Sequence, residues 1–344
     1  MVDTAGIDDS GDLGEKRINK SLQALKTVDC AVLLVAGNRF GNYELKLIDE
    51  FGKNDTPYIV VHNKCDVVKL SDETKNEILK HTTAAIVDFS SRTRAGFDEV
   101  VDALRNTVPE KSYLFKSLIG DLINEGDYVL LVTPIDSEAP EGRMILPQQM
   151  AIRDVLDNRA ICIVLRETEL KKFFETSCIK PAIVITDSQA FGFVKTIVPD
   201  DIPLTSFSIV FSRLKGDFEN YVKGTRAIGE LKDGDKILIL ESCTHHVSCE
   251  DIGRVKIPMW LSKFTGKKLY FNNISGLGDL PENTDDYKLV IQCGGCMVTR
   301  KQVLNRLKPF SDNEVSITNY GMAIAYLNGI FERALQPFCI NREE

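Results

Sequence analysis

An α/β fold in three units, the first laid out on a parallel sheet, is what this sequence predicts. Two observations carry the prediction. Short apolar runs with strand character alternate with amphipathic helical patterns, and 344 residues are enough for two or three domains that each bury a core. In the first unit, residues 1–115, the strand candidates are Cys30-Ala31-Val32-Leu33-Leu34-Val35, Tyr58-Ile59-Val60-Val61 and Ala84-Ala85-Ile86-Val87, each followed by a helical pattern. The second unit, residues 125–203, offers Tyr128-Val129-Leu130-Leu131-Val132, Ala160-Ile161-Cys162-Ile163-Val164-Leu165 and Ala182-Ile183-Val184-Ile185-Thr186, with a helix around Pro147 to Leu156. It carries no recognisable chemistry and reads as an association surface. The third unit, residues 204–338, is expected to hold strands at Ser208-Ile209-Val210-Phe211, Lys236-Ile237-Leu238-Ile239-Leu240 and Tyr287-Lys288-Leu289-Val290-Ile291, with helices at 214–228, 251–264 and 297–308.

Composition narrows the function classes. Hydrophobic residues at 43% and charged residues at 27% suit a soluble globular chain. No apolar run approaches the roughly 20 residues of a membrane span, and the N-terminus lacks the basic and apolar stretches of an export signal. A cytoplasmic protein with no membrane partner is expected. The 50 acidic against 42 basic residues give a net charge of −8, which argues against a nucleic-acid partner, because a phosphate backbone calls for a basic footprint. Nine cysteines without an export signal read as thiols or metal ligands rather than disulfides. Cys30 and Cys162 fall in apolar strand runs and read as packed small hydrophobes; Cys65, Cys178 and Cys339 are given no role.

Asp3-Thr4-Ala5-Gly6 after a hydrophobic pair, followed 60 residues later by Asn63-Lys64-Cys65-Asp66, has the order and spacing of a GTPase. Asp3 would hold Mg2+ through water, and the Gly6 amide would meet the γ-phosphate. Asp66 would accept from the guanine ring and amino nitrogens, which adenine cannot match. Asn63 would tie the loops together, the Lys64 stem would pack on the base, and Ser90 and Ser91 would offer backbone contacts to the guanine oxygen. No Gly-x-x-x-x-Gly-Lys-Ser/Thr loop occurs in the sequence, and a GTPase needs one to cradle phosphates. The first unit therefore reads as a truncated P-loop GTPase-like sheet, with Met1-Val2 the stump of a strand. GTP and Mg2+ are cofactors expected of a full-length protein, while this chain is expected to bind GTP poorly or not at all and to be inactive as a GTPase.

The third unit carries the densest chemistry. Cys243 lies just beyond the 236–240 strand candidate, and Cys293 and Cys296, in Cys293-Gly294-Gly295-Cys296, lie just beyond the 287–291 candidate. In a parallel sheet all three thiols would share the edge where ligands bind. Two glycines between two cysteines let both sulfurs reach one metal or cluster. The fourth ligand is not evident, so the site reads as an open metal site. A helix carrying Arg300, Val303, Leu304 and Leu307 would begin at this loop, its dipole and free amides favouring thiolate.

A GTPase, a middle α/β unit and a terminal Cys-x-His plus Cys-x-x-Cys domain together resemble the FeFe-hydrogenase maturation GTPases, the HydF family, over the whole chain. The most specific stretches are Glu241-Ser242-Cys243-Thr244-His245-His246, Asp251-Ile252-Gly253-Arg254-Val255-Lys256-Ile257-Pro258 and Cys293-Gly294-Gly295-Cys296. The family pattern places His before Cys-x-x-Cys; here 46 residues separate His245 from Gln292, which stands in that position. The resemblance implies a scaffold that binds a 4Fe-4S cluster and a diiron precursor, receives the precursor from radical-enzyme maturases and delivers it to the FeFe-hydrogenase. It also implies a homodimer formed through the middle unit, and an α/β iron-sulfur domain in the third. By analogy Cys243, Cys293 and Cys296 are cluster ligands. Glu250 is the first choice for the fourth, because a hard carboxylate among thiolates is displaceable; Cys249, His245, His246 and water are the alternatives. Arg254 and Lys256 read as a solvated face or as counter-charges to an anionic cargo. Two other functions fit the same motifs: a regulatory GTPase with zinc on Cys243, His245, Cys293 and Cys296, and an RNA-associated GTPase.

Overall fold

The computed structural model describes residues 2–4, 21–22, 24–25, 27–109, 117–134, 144–242 and 251–339. The chain forms two compact units that divide between residues 115 and 116. All three sheets among the described residues are parallel throughout.

The first unit alternates β1 (Ala31–Ala36), α1 (Asn42–Lys53), β2 (Tyr58–Asn63), α2 (Asp72–His81), β3 (Ile86–Phe89) and α3 (Phe97–Thr107). Its strands are ordered β1-β2-β3. β2 is central, and Ile59, Val60, Val61 and His62 are all buried, as a run covered on both faces must be. Its core joins Leu33, Val35, Phe51, Val60 and Ile78. α2 starts at Ser71, whose hydroxyl accepts from Thr74 N at 3.2 Å, and Asp72 and Glu73 in its first turn complement the helix dipole. Val2, Asp3 and Thr4 lie in no regular element.

The second unit holds two four-stranded sheets. The first contains β4 (Tyr128–Val132), α4 (Leu146–Asp157), β5 (Ile161–Leu165), α5 (Leu170–Thr176), β6 (Ile183–Thr186), α6 (Phe191–Val194) and β7 (Leu204–Ser206), with strand order β5-β4-β6-β7. Helices α7 (Phe207–Lys215) and α8 (Phe218–Arg226) lead to the other sheet. That sheet comprises β8 (Lys236–Leu240), a π turn (Ile252–Lys256) running into α9 (Ile257–Thr265), β9 (Tyr270–Ile274), β10 (Leu289–Gln292), α10 (Arg300–Asp312) and β11 (Ser316–Asn319). It is ordered β11-β10-β8-β9, and α11 (Tyr320–Leu327) and α12 (Phe331–Cys339) follow. Ile237 to Leu240 and Leu289 to Ile291 are fully buried, each contributing roughly 1.5–3 kcal/mol of burial. One apolar core runs from Leu130 and Val184 of the first of these sheets to Leu238 and Val290 of the second.

Two differences from the sequence reading have clear causes. The apolar run at 208–211 is helical rather than extended. Ser206 caps it through a hydroxyl that accepts from Ile209 N at 3.3 Å, and the helix is apolar on opposite sides because Ile209 packs in one core while Phe207, Val210 and Phe211 pack in another. Short apolar runs buried on all sides carry no periodicity that separates strand from helix. The single helix expected at 214–228 is broken at Gly216, after which Asp217 caps α8 by accepting from Asn220 N at 3.2 Å. The strands β9 and β11 are additional to the sequence reading, and β7 pairs with β6, so the expected boundary at 203–204 falls just ahead of a strand of the second unit's first sheet. No described helix is long and apolar enough to cross a membrane.

α8 lies directly on β11. A Cβ built at Gly224 would stand 2.1 Å from the Ile317 carbonyl oxygen and 2.6 Å from its nitrogen. Gly224→Ala should therefore destabilise the second unit by about 2 kcal/mol, overpacking outweighing the roughly 1 kcal/mol gain in helix propensity. Denaturant unfolding followed by the fluorescence of Trp260, the sole tryptophan and half-buried in this unit, reads the loss; an unchanged or raised midpoint would contradict the packing.

Candidate functional site

The edge that carries the cysteines is set by strand register. β8 and β10 are adjacent and parallel, with Leu289 opposite Ile237 and Gln292 opposite Leu240, so Glu241 and Cys293 leave the sheet side by side. The ladder continues one residue further, Cys293 N donating to Leu240 O at 2.9 Å. Ser242 N then points at the Cys293 sulfur, 3.0 Å away. Gln292, 1% exposed, donates through Nε2 to Ser242 Oγ at 2.8 Å, to the Cys293 carbonyl at 3.2 Å and to Cys293 Sγ at 3.3 Å. A buried side chain thus reaches across both strand ends.

Gly295 takes a left-handed φ of 63°, which a side chain would resist, and a Cβ there would stand 3.0 Å from Val303 Cγ2. The 293–296 loop therefore folds against α10. That helix begins later than expected: Thr299 is its cap, with its hydroxyl accepting from Gln302 N at 3.2 Å and the Gln302 side chain accepting from Thr299 N at 2.8 Å. This reciprocal box takes up N-terminal amides expected to be free for the cysteines. The backbone amides of Cys296 and Met297 instead favour the charged form of the Cys296 sulfur.

Charge around the loop is mixed. Burial pushes the Cys296 thiol up and the neighbouring Cys293 adds to the rise, while those two amides and Lys215 act the other way. Lys215, at the end of α7, donates to Val298 O at 2.8 Å; burial pulls its ammonium down and Cys296 opposes that. Arg306 on α10 is buried. It donates to the main-chain oxygens of Glu241 at 3.0 Å, Ile274 at 3.4 Å and Gly276, pinning the segments after β8 and β9. Burial holds its guanidinium below the ordinary value, and Cys293 opposes the shift. The Glu241 carboxylate is 3% exposed and accepts from Ser275 Oγ at 2.7 Å and Arg254 Nε at 3.4 Å. Lys256 reaches Gln189 Oε1 at 2.8 Å.

The structure thus brings Cys293 and Cys296 into one loop, with Ser242 against the first and Lys215 beside the second. Cys243, His245, His246, Cys249 and Glu250 lie outside the described residues. Among the described residues no group of three or more His, Cys, Asp or Glu side chains is arranged to hold a metal ion. Ser242, Lys215 and Arg306 escaped sequence reasoning. Arg306 alone left a signal there: it falls on the apolar stripe of Val303, Leu307 and Phe310, all buried with it.

In the first unit, Asn63 Oδ1 accepts from Lys64 N at 2.8 Å and from Ser91 N at 3.3 Å, bridging the loops after β2 and β3. Asp66 Oδ1 accepts from Ser90 Oγ at 2.6 Å, and Cys65 N donates to Phe89 O at 3.2 Å. Lys64 sits at a φ of 65°, and Ser90 is buried. Below them, buried His62 meets Asp88 Oδ1 through Nδ1 at 2.8 Å. Asp3 is exposed, and Gly6 lies outside the described residues.

No match is found among curated proteins. Two family models do match. Residues 118–216 fit the hydrogen maturase F dimerization domain, and residues 219–337 fit the hydrogen maturase F tetramerization domain. The models meet at 217–218, where α7 gives way to α8. Between them they account for nearly all of the second unit and more than half of the sequence, and so the chain belongs to the hydrogen maturase F family.

Proposed function

We propose that this protein is a cytoplasmic scaffold and carrier in FeFe-hydrogenase maturation, self-associating through its two family domains. It holds a 4Fe-4S cluster on Cys243, Cys293 and Cys296 with Glu250 as an exchangeable fourth ligand, and it takes a diiron precursor from radical-enzyme maturases to the hydrogenase. The single observation that carries this reading is the 3.0 Å approach of Ser242 N to Cys293 Sγ, because the residue following Ser242 in the sequence is Cys243.

The donor set suits such a group. Cys293 and Cys296 are soft ligands, Cys293 receives N–H donors from Ser242 and Gln292, and a lysine beside Cys296 offsets anionic charge. When bound, the cluster supplies one-electron chemistry and an iron whose outer ligand exchanges. The protein's own part is to hold thiolates, keep charge balanced and exclude water with the buried floor of β8 and β10. In the first unit, the loops after β2 and β3 recognise guanine, Asp66 setting base choice through its carboxylate.

Four outcomes check this. After anaerobic iron-sulfur reconstitution, Cys243→Ala, Cys293→Ala and Cys296→Ala should each lose the charge-transfer absorption of the cluster; retention by all three would sink the ligand assignment, and one zinc per chain without sulfide would favour the zinc reading. Glu250→Ala should alter the electron paramagnetic resonance spectrum, whereas an unchanged spectrum moves the fourth position to Cys249, a histidine or water. Since only thiolate is nucleophilic and burial pushes the metal-free Cys296 thiol up, iodoacetamide at a pH of about 8 should label exposed Cys178 before the partly buried Cys296. Labelling of Cys296 should keep rising past the ordinary thiol value of about 8.5, as peptide mass mapping would record. Finally, guanosine at millimolar concentration should broaden in ligand-observed NMR while adenosine does not, and Asp66→Asn should weaken guanosine about tenfold or more, the loss of a charged hydrogen-bond partner.

A further inference from the structure

Gln292 stands immediately before Cys293-Gly294-Gly295-Cys296, the position at which the resemblance described above leads to an expected histidine. It ends β10 and is buried at 1% exposure. Its Nε2 lies 2.8 Å from Ser242 Oγ, 3.2 Å from the Cys293 carbonyl and 3.3 Å from Cys293 Sγ. Its Oε1 is buried and has no hydrogen-bond partner among the described residues. The amide's orientation follows from chemistry: a carbonyl oxygen only accepts, so nitrogen rather than oxygen must face Cys293.

We infer that Gln292 is a positioning residue for Cys293, donating to its thiolate, fixing the sulfur at the sheet edge and raising the reduction potential of a cluster bound through it. The inference rests on the 4Fe-4S reading above. Reduction adds negative charge that the ligand sulfurs share, and an N–H donor aimed at one of them binds the more charged state better. Ser242 N supplies one such donor from the backbone, and Gln292 supplies a second from a side chain. Histidine at this place could itself ligate metal or change protonation; a primary amide keeps its protonation at ordinary pH and its hard carbonyl oxygen is a poor ligand for iron among thiolates, so it serves as a donor. The Oε1, unpartnered among the described residues, points the same way. An apolar side chain of similar size would leave no buried acceptor unpaired, so the amide carries a cost that its N–H contacts offset.

The test compares wild type, Gln292→Leu and Gln292→Glu, each reconstituted anaerobically and titrated electrochemically under electron paramagnetic resonance. Full cluster content with a more negative potential in both variants, further displaced in Gln292→Glu where a carboxylate faces the sulfur, is the expected result. Isotope labelling of glutamine side-chain nitrogen in the wild-type protein should show a hyperfine coupling to the reduced cluster by pulsed resonance, absent in Gln292→Leu. Unchanged potentials in fully loaded variants would reduce Gln292 to a space-filling residue. Should the variants fail to load, the labelled wild type decides, and absence of coupling there overturns the inference. A wild-type chain that takes up no cluster would instead refute the reading on which the inference rests.

Discussion

The parallel pairing of β8 with β10 is the constraint on which the cysteine edge depends. With Gln292 opposite Leu240, Glu241 and Cys293 must emerge together, and the Cys293 N to Leu240 O bond carries the ladder one step beyond the strands. Side chains alternate faces along a strand, so a slip of one residue would turn Gln292 and the core residues of β10 to the opposite face. Such a slip is opposed by the complete burial of Leu289, Val290 and Ile291 against Ile237 to Leu240. The apolar interior therefore does chemical positioning as well as stabilisation: it fixes which backbone N–H meets which sulfur.

Polar anchoring then secures what the strands release. Past its last sheet residue, a chain has lost its ladder partners and must find others for its buried carbonyls. Arg306 provides them for Glu241 and Gly276 and adds a bond to the Ile274 carbonyl, which also accepts from Glu241 N. This is a costly device, since a guanidinium taken from water gives up much hydration, and its depressed pKa has that origin. In return two loops at one edge are tied to a single helix. Glu241 receives a further tie from Ser275 and Arg254, the latter carried on the π turn Ile252–Lys256.

Much of this was legible in the sequence, and the part that was not has physical reasons. Core strands such as Tyr128–Val132 and Lys236–Leu240 announce themselves by continuous apolar, β-branched runs, and Cys293-Gly294-Gly295-Cys296 by residue types with few other uses. The run at 208–211 gave no such guidance, because a helix buried on both sides has the composition of a central strand. β9, with Asn272 and Asn273 in its middle, and β11, with Thr318 and Asn319 at its end, lie at the sheet edges and lack the apolar signature. Lys215 and Ser242 could not be found at all from spacing, since each reaches the site from an element whose position is settled only by tertiary packing. Asn63 and Asp66, by contrast, act on loops next to their own strands, and a short motif is enough to find them.

The cysteine edge does not belong to one family domain alone. Lys215 ends α7, inside the stretch that matches the dimerization domain, yet its charge acts on Cys296, within the tetramerization match. Ser208 of the same helix accepts from Gly321 N at 3.2 Å through its hydroxyl, and its carbonyl accepts from Asn319 Nδ2 at 3.1 Å. Arg300, at the start of α10, returns the contact by donating to Gly216 O at 3.3 Å. These bonds, with the core shared by both sheets, make α7 a structural part of the thiol-bearing edge. A separation of the two domains would strip a cation from beside Cys296 and expose the apolar faces of α7 to water. The boundary visible in the family models is consequently a boundary of sequence, whereas the physical unit that carries Cys293 and Cys296 spans both sides of it.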